Sequence, residues 1–197
     1  MSWNMPSYNT DNYTFGPCVV YIGATGTTPL TDIGAVKGNT EVTVNKEILE
    51  ISQGSPRVVT KQYVTVQGAM VKFESLEPFK IANLYAALGA GVTATDGDTE
   101  YLGYGGDVNM AERAIKLVHV QPNGTTITLC FWRCQGQADL TIPFNESGDM
   151  SIPMEFKVLD GTLNFSGATI ASTSCERLFR LIKEGGSGAS SCDALSV

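Results

Sequence analysis

The sequence predicts a mainly β chain, an antiparallel sandwich or barrel with one flanking α-helix. Three observations carry that expectation. Apolar residues alternate with period two over separate runs, most regularly at Met150, Ile152, Met154, Phe156 and Val158. Turn residues separate those runs, as at 53–57 (QGSPR), 122–124 (PNG) and Asp160-Gly161. One central segment, 78–88 (PFKIANLYAAL), shows strong helical spacing. Strands at such intervals around a single central helix indicate antiparallel layers.

Residues 41–88 organise the rest. A run at 41–52 (EVTVNKEILEIS), the turn at 53–57 and a returning run at 58–66 (VVTKQYVTV) predict a long two-stranded arm. Val42 and Val44 share one face, whereas Leu49 and Ile51 fall on the other. A β-bulge near 45–47 would produce that change of phase, as would a strand whose far end turns a different face to a partner. At about 3.3 Å per residue the first run reaches roughly 40 Å, long beside the usual ~3–10-residue strand. A ribbon of that reach needs something outside its own core to lie against. A second turn is expected at Gly68, then a half-buried strand with Val71 and Phe73 alternating with Met70, Lys72 and Glu74. Ser75 is placed to cap the helix and Pro78 suits its first turn. Ile81, Leu84, Tyr85 and Leu88 form its apolar stripe, and Gly89 with Gly91 ends it.

On either side the chain is simpler. Residues 1–16 form an N-terminal arm carrying Trp3, Tyr8, Tyr13 and Phe15, aromatics that suit docking on a neighbouring subunit as well as a free end. A short buried strand at 18–22 and a turn-rich loop at 23–32 follow. After the helix, 94–107 is expected to be a Gly- and Asp-rich surface loop. Strands are expected at 111–121, 125–140 and 150–158. Thr173 and Glu176 match a capping box ahead of a second helix at 175–184, and the Gly/Ser-rich remainder reads as a flexible tail. The chain thus divides into 1–16, a β domain over 17–171, and a C-terminal helix and tail over 172–197.

Composition narrows the function. The formal charge of −7 argues against a phosphate-binding groove, which needs clustered Lys and Arg. No apolar run approaches the ~18 residues that span a bilayer, and the N-terminus lacks the basic and apolar regions of a signal peptide. An odd cysteine count without such a signal favours free thiols. Cys130 and Cys134, four apart in a predicted strand, belong on one face but ~13 Å apart, too far for a disulfide or a shared zinc. His119, the single histidine, is a sheet residue without a nucleophile elbow elsewhere in the folded chain. Asp96, Asp98 and Glu100 imitate part of a calcium loop, but Tyr101 stands where its glycine belongs and the closing Glu is missing. No catalytic residue, metal site or cofactor is predicted, and the chain is expected not to be an enzyme.

Taken in order, the runs FGPCVVYIGATGTTPLTDIGAVKGNTEVTVNKEILEISQGSPRVVTKQYVTVQGAMVKFESLE, KIANLYAALGAG and MSIPMEFKVLDGTLNFSG resemble the major tail (tail tube) proteins of long-tailed bacteriophages. The resemblance covers about 15–167 and lies in the ordered whole, not in one motif. It implies a sandwich or barrel with a flanking helix, six copies to a ring, and inner strands joined into one continuous β barrel around a lumen. Stacked rings would make a hollow conduit for DNA in a virion tail assembled in the bacterial cytoplasm. The implied partners are further copies of the chain, a tape measure protein, tail terminator and tail tip proteins, and DNA that passes without specific binding. The hairpin tip Gln53, Gly54, Ser55, Pro56 and Arg57 would reach the adjacent ring, with the N-terminal arm helping. Ile81, Leu84, Tyr85 and Leu88 of the helix would lie at a subunit contact. Glu47 and Glu50 are candidates for the lumen surface or, equally, for a subunit contact. The alternatives are another virion β protein (a decoration or baseplate component) and a ligand-binding β-barrel module.

Overall fold

Where alternation was unbroken, strands form. The computed structural model describes residues 18–106, 109–137, 150–171 and 174–184, together with Gly16, Asp139 and Thr141. The elements are β1 (Val19–Ala24), β2 (Thr31–Asp32), β3 (Val36–Gln53), β4 (Val58–Ser75), α1 (Ile81–Leu88), β5 (Val92–Asp96), β6 (Thr99–Gly103), β7 (Glu112–Val120), β8 (Thr126–Gly136), β9 (Ile152–Val158) and β10 (Phe179–Glu184). The fold is mainly β, every strand pairing is antiparallel, and the larger sheet runs β2-β1-β7-β8-β9-β4-β3 with β10 also on β8. That sheet is open, ending at β2 and β3, so the chain by itself closes no barrel.

One buried cluster draws on both halves of the sheet: Val20, Ile115 and Phe131 from one side, Val71, Phe73 and Phe156 from the other. The sheet therefore curls around a common core, in the manner of a sandwich. Phe73 and Phe156 stack at 5.8 Å, and β9 buries Ile152, Met154, Phe156 and Val158 as its alternation predicted. A smaller cluster on the other face of β7 and β8 holds Ala114, Cys130, Trp132 and Phe165. There the Trp132 ring meets Phe165 edge-on at 4.7 Å, and its Nε1–H donates to the Glu176 carbonyl at 2.8 Å. Gly161 marks this contact, not a tight turn: a Cβ there would lie 2.9 Å from Trp132.

The helix is shorter than its sequence pattern, and Ser75 does not cap it. Ser75 Oγ accepts from the Glu77 amide at 3.3 Å, Lys80 occupies the N-cap without a side-chain bond, and Gly89 closes the C-terminus at φ 65°. Its buried residues are Asn83, Leu84, Ala86 and Ala87, so of the predicted stripe only Leu84 is fully in the core. The small alanines let the helix press on β8. A Cβ on Gly136 would lie 2.5 Å from the Ala87 carbonyl oxygen and 2.6 Å from that of Ala86. Gly136→Val is expected to cost about 1–3 kcal/mol by overpacking, measured by urea denaturation; an unchanged midpoint would contradict this contact.

Several expectations are corrected. The segment 175–184 is not a helix: 179–184 is β10, paired with β8 from Phe179↔Phe131 to Glu184↔Thr126. The boundary at 172 therefore does not separate the end of the sheet from its body. The Glu176 carboxylate pairs with Arg180, and Thr173 of the expected capping box lies outside the described residues, as does the tail after 184. The physical reason for a strand is the open edge of β8, whose 126–131 backbone groups need partners that a helix cannot supply. No turn occurs at Gly68 either. β4 runs through it, and the missing side chain admits Asn45, its cross-strand partner, whose Oδ1 would sit 2.6 Å from a Cβ. The expected loop at 94–107 contains the β5–β6 hairpin instead, turned at Gly97 (φ 58°) and Asp98.

The cysteines also depart from expectation. Between Arg113 and Ile115 the β7–β8 register shifts, leaving Trp132 and Arg133 opposite the single residue Ala114. This bulge reverses the phase of β8, so Cys130 joins the smaller cluster and Cys134 the main core, on opposite faces. Cys130 is not a free thiol. It is disulfide-bonded, whereas Cys18, Cys134 and Cys175 are free. Burial pushes the Cys134 thiol far above its ordinary pKa, which leaves it inert. Beside the bulge, Arg133 donates to Glu112, and that hydrogen bond holds the Glu112 carboxyl below the usual range.

Candidate functional site

Beyond the point where β9 ends its pairing at Ala69↔Val158, β3 and β4 continue alone as a two-stranded ribbon. The free part of β4, 58–68, extends about 35 Å at ~3.3 Å per residue. Every residue from 43 to 67 is exposed. Val44, Ile48, Leu49, Ile51, Val58, Val59, Tyr63, Val64 and Val66 are among them, a large apolar surface for a chain standing alone. Among the described residues the ribbon's edges are unpaired, along β3 on one side and along 58–68 of β4 on the other. Unpaired edges of this length are templates for another strand.

Two bulges lie in the ribbon, and both extra residues are threonines of β4. The register shifts opposite Glu47/Ile48, where Thr65 is the extra residue, and opposite Ile51/Ser52, where it is Thr60. Thr65 Oγ1 donates to the Glu47 carbonyl at 3.3 Å, and Thr60 Oγ1 to the Ile51 carbonyl at 2.9 Å. Each hydroxyl thus serves a carbonyl where the ladder is disturbed. A bulge thus falls beside the expected 45–47 position, but its extra residue is on β4; β3 itself stays in phase from Glu41 to Gln53, so the bulge is not what moves its apolar residues to the other face.

That phase sorts the side chains. On the face continuous with the core lie Val42↔Val71 and Val44↔Ala69 at the base, then Lys46↔Gln67, Ile48↔Val64 and Glu50↔Gln62. On the opposite face lie Glu41↔Lys72 and Thr43↔Met70 at the base, then Glu47↔Val66, Leu49↔Tyr63, Ile51↔Lys61 and Gln53↔Val58. Apolar residues therefore appear on the far side only towards the tip, while Ile48, Val59 and Val64 remain on the core side. The subunit's own core cannot cover Leu49, Ile51, Tyr63, Val66 and Val58. Lys61 Nζ sits 4.7 Å from the Tyr63 ring centre on this same face.

Glu47 and Glu50 are both exposed but on opposite faces. Glu50 Oε1 accepts from Gln62 Nε2 at 2.6 Å, whereas Glu47 stands beside Val66 and Leu49. Gln53 through Arg57 form the exposed tip, with Gly54 at φ 97° and a cis Ser55–Pro56 bond. On the helix, Leu84 is committed to the subunit's own core and is not free for a contact, while Ile81, Tyr85 and Leu88 are half-buried. The Arg113 guanidinium lies 4.7 Å from the Tyr85 ring centre. Trp3, Tyr8, Tyr13 and Phe15 lie outside the described residues. Sequence reasoning found the ribbon and its tip but missed the second projection, β5–β6, whose strands are only five residues each and lie in a Gly- and Asp-rich stretch.

Among the described residues no group of three or more His, Cys, Asp or Glu side chains could hold a metal ion. No helix among them is long and apolar enough to cross a membrane. No protein-family model matches the chain, and no curated protein matches it.

Proposed function

We propose that this chain is a structural subunit that assembles with copies of itself, its ribbons forming the wall of a hollow tube like the tail tube of a long-tailed bacteriophage. The observation that carries this reading is the ribbon: its distal apolar face points away from its own core and is uncovered among the described residues. A two-stranded ribbon is at best marginally stable in water without a covering layer. Sister copies supply that layer and pair the free edges, and a ring of such pairings leaves no edge exposed. Ribbon and body are different surfaces, so the contact is heterologous and propagates into rings or filaments.

In this reading six copies close a ring, rings stack, and the chain works without catalysis or cofactor. Glu50, on the ribbon face it shares with Lys46, Gln62 and Gln67, is the better lumen residue, and Glu47 on the apolar face suits a subunit contact. An acidic protein repels DNA, which keeps a conduit from retaining its cargo. Tape measure, tail terminator and tail tip proteins are its partners inside and at the ends of such a tube.

Negative-stain microscopy of the purified chain over a concentration series tests the proposal. Hollow tubes of constant diameter are expected. Isolated closed rings or trimers would favour a decoration or baseplate component, and monomers at every concentration would reject self-assembly in favour of a binding module.

A further inference from the structure

The molecule has a second projection. β5 and β6 form a two-stranded sheet of their own, resting on α1 through one face, and only Leu102 in it is even half-buried. Cross-strand partners sort it into a face with Thr93↔Leu102 and Thr95↔Glu100 and a face with Val92↔Gly103 and Ala94↔Tyr101. Val92 and Tyr101 stand bare on the latter, with Tyr104 exposed just beyond. A two-stranded sheet with an open apolar face is short of a covering layer.

Its charge is one-sided. From 92 to 106 the chain has Asp96, Asp98 and Glu100 and no lysine or arginine. The distal ribbon is its converse: 52–64 contains Arg57 and Lys61, no acid, and the exposed Val58 and Val59. None of these five charges joins an ion pair among the described residues. We propose that the β5–β6 hairpin of one copy receives the distal ribbon of the next, with Arg57 and Lys61 opposite Asp96 and Asp98 while Val58, on the same ribbon face as Lys61, covers Val92 and Tyr101. This rests on the assembly reading above and names the surface that completes it. Donor and acceptor are separate patches on each copy, so neither is used up within one molecule and the contact repeats. Complementary charge steers encounter and fixes register; the apolar contact supplies affinity.

Charge exchange in the full chain tests the pairing. Arg57→Glu with Lys61→Glu, and separately Asp96→Lys with Asp98→Lys, are each expected to raise the critical concentration for assembly about tenfold or more. All four changes together are expected to restore most of it, as read by sedimentation and negative-stain microscopy. All four sites are exposed, and matching thermal melts confirm that each variant folds. Wild-type assembly is expected to weaken as salt rises, since the charges are solvent-accessible. Reversals that assemble like wild type, a fourfold variant no better than either pair, or salt-insensitive assembly would each overturn the pairing. Wild-type tubes with indifferent reversals remove only this pairing. A wild-type chain that never assembles removes the assembly reading itself.

Discussion

Replacing Leu49 and Tyr63 by lysine is expected to leave the protein folded and to abolish assembly. The two are direct cross-strand partners on the far face of the ribbon, 54% and 44% exposed. Exposed substitutions of this kind change stability by about 0.5 kcal/mol or less, so the melting temperature should hold. In an assembled wall the same two side chains would be buried. Covering a large apolar side chain is worth about 1.5–3 kcal/mol, and placing a lysine there adds the cost of desolvating a charge. With about half of each side chain left to cover, the pair and the lysine cost together represent about 3 kcal/mol, over a hundredfold in association constant. The check is sedimentation beside a thermal melt. A variant that forms normal tubes would show that this face stays in solvent and would reject the ribbon as the assembly surface. The paired change Lys46→Glu and Gln67→Glu, on the other face, serves as a control for altered charge.

Phe131→Ala is expected to be the most damaging single change to the fold, at about 3–5 kcal/mol. The ring is fully buried, lies across the ladder from Ile115, and meets the Phe179 ring at 5.7 Å. It also sits where β8 stops pairing with β10, just before its short pairing with β9 begins at Cys134. One deletion thus opens a cavity at the junction of three strands. Against a total stability of about 5–15 kcal/mol, a loss of that size lowers the melting temperature by roughly 10 °C. Urea and thermal denaturation measure it directly. A shift below about 1 kcal/mol would mean that β10 does not pack where it is described.

Period-two alternation made β7, β8, β9 and the ribbon legible, because which side of a strand is buried is written in its own residues. The ribbon's length and tip could be read for the same reason, as could the misfit of phase between Val44 and Leu49. β10 could not be read. Leu178, Leu181 and Ile182 fit a helical stripe, and Glu, Arg, Leu and Lys are good helix formers, but local preference is weak beside an open strand edge. β5 and β6 were hidden because the alternation of Val92 and Ala94 with Thr93 and Thr95 is short and leads into a Gly- and Asp-rich turn, the composition of a surface loop. The opposite faces of Cys130 and Cys134 depend on one extra residue opposite Ala114, a count that belongs to the pair of strands.

By itself, then, the sequence determined that this is a β protein with one central helix and a ribbon too long for its own core. Only the tertiary structure decided which edges are filled from within, at β8, and which are left unpaired among the described residues, along β3 and distal β4. Side-chain polarity records the inside and outside of a strand locally. The identity of its neighbour depends on backbone hydrogen bonds that every residue offers alike, so partners are chosen by the assembled sheet and not by any one segment.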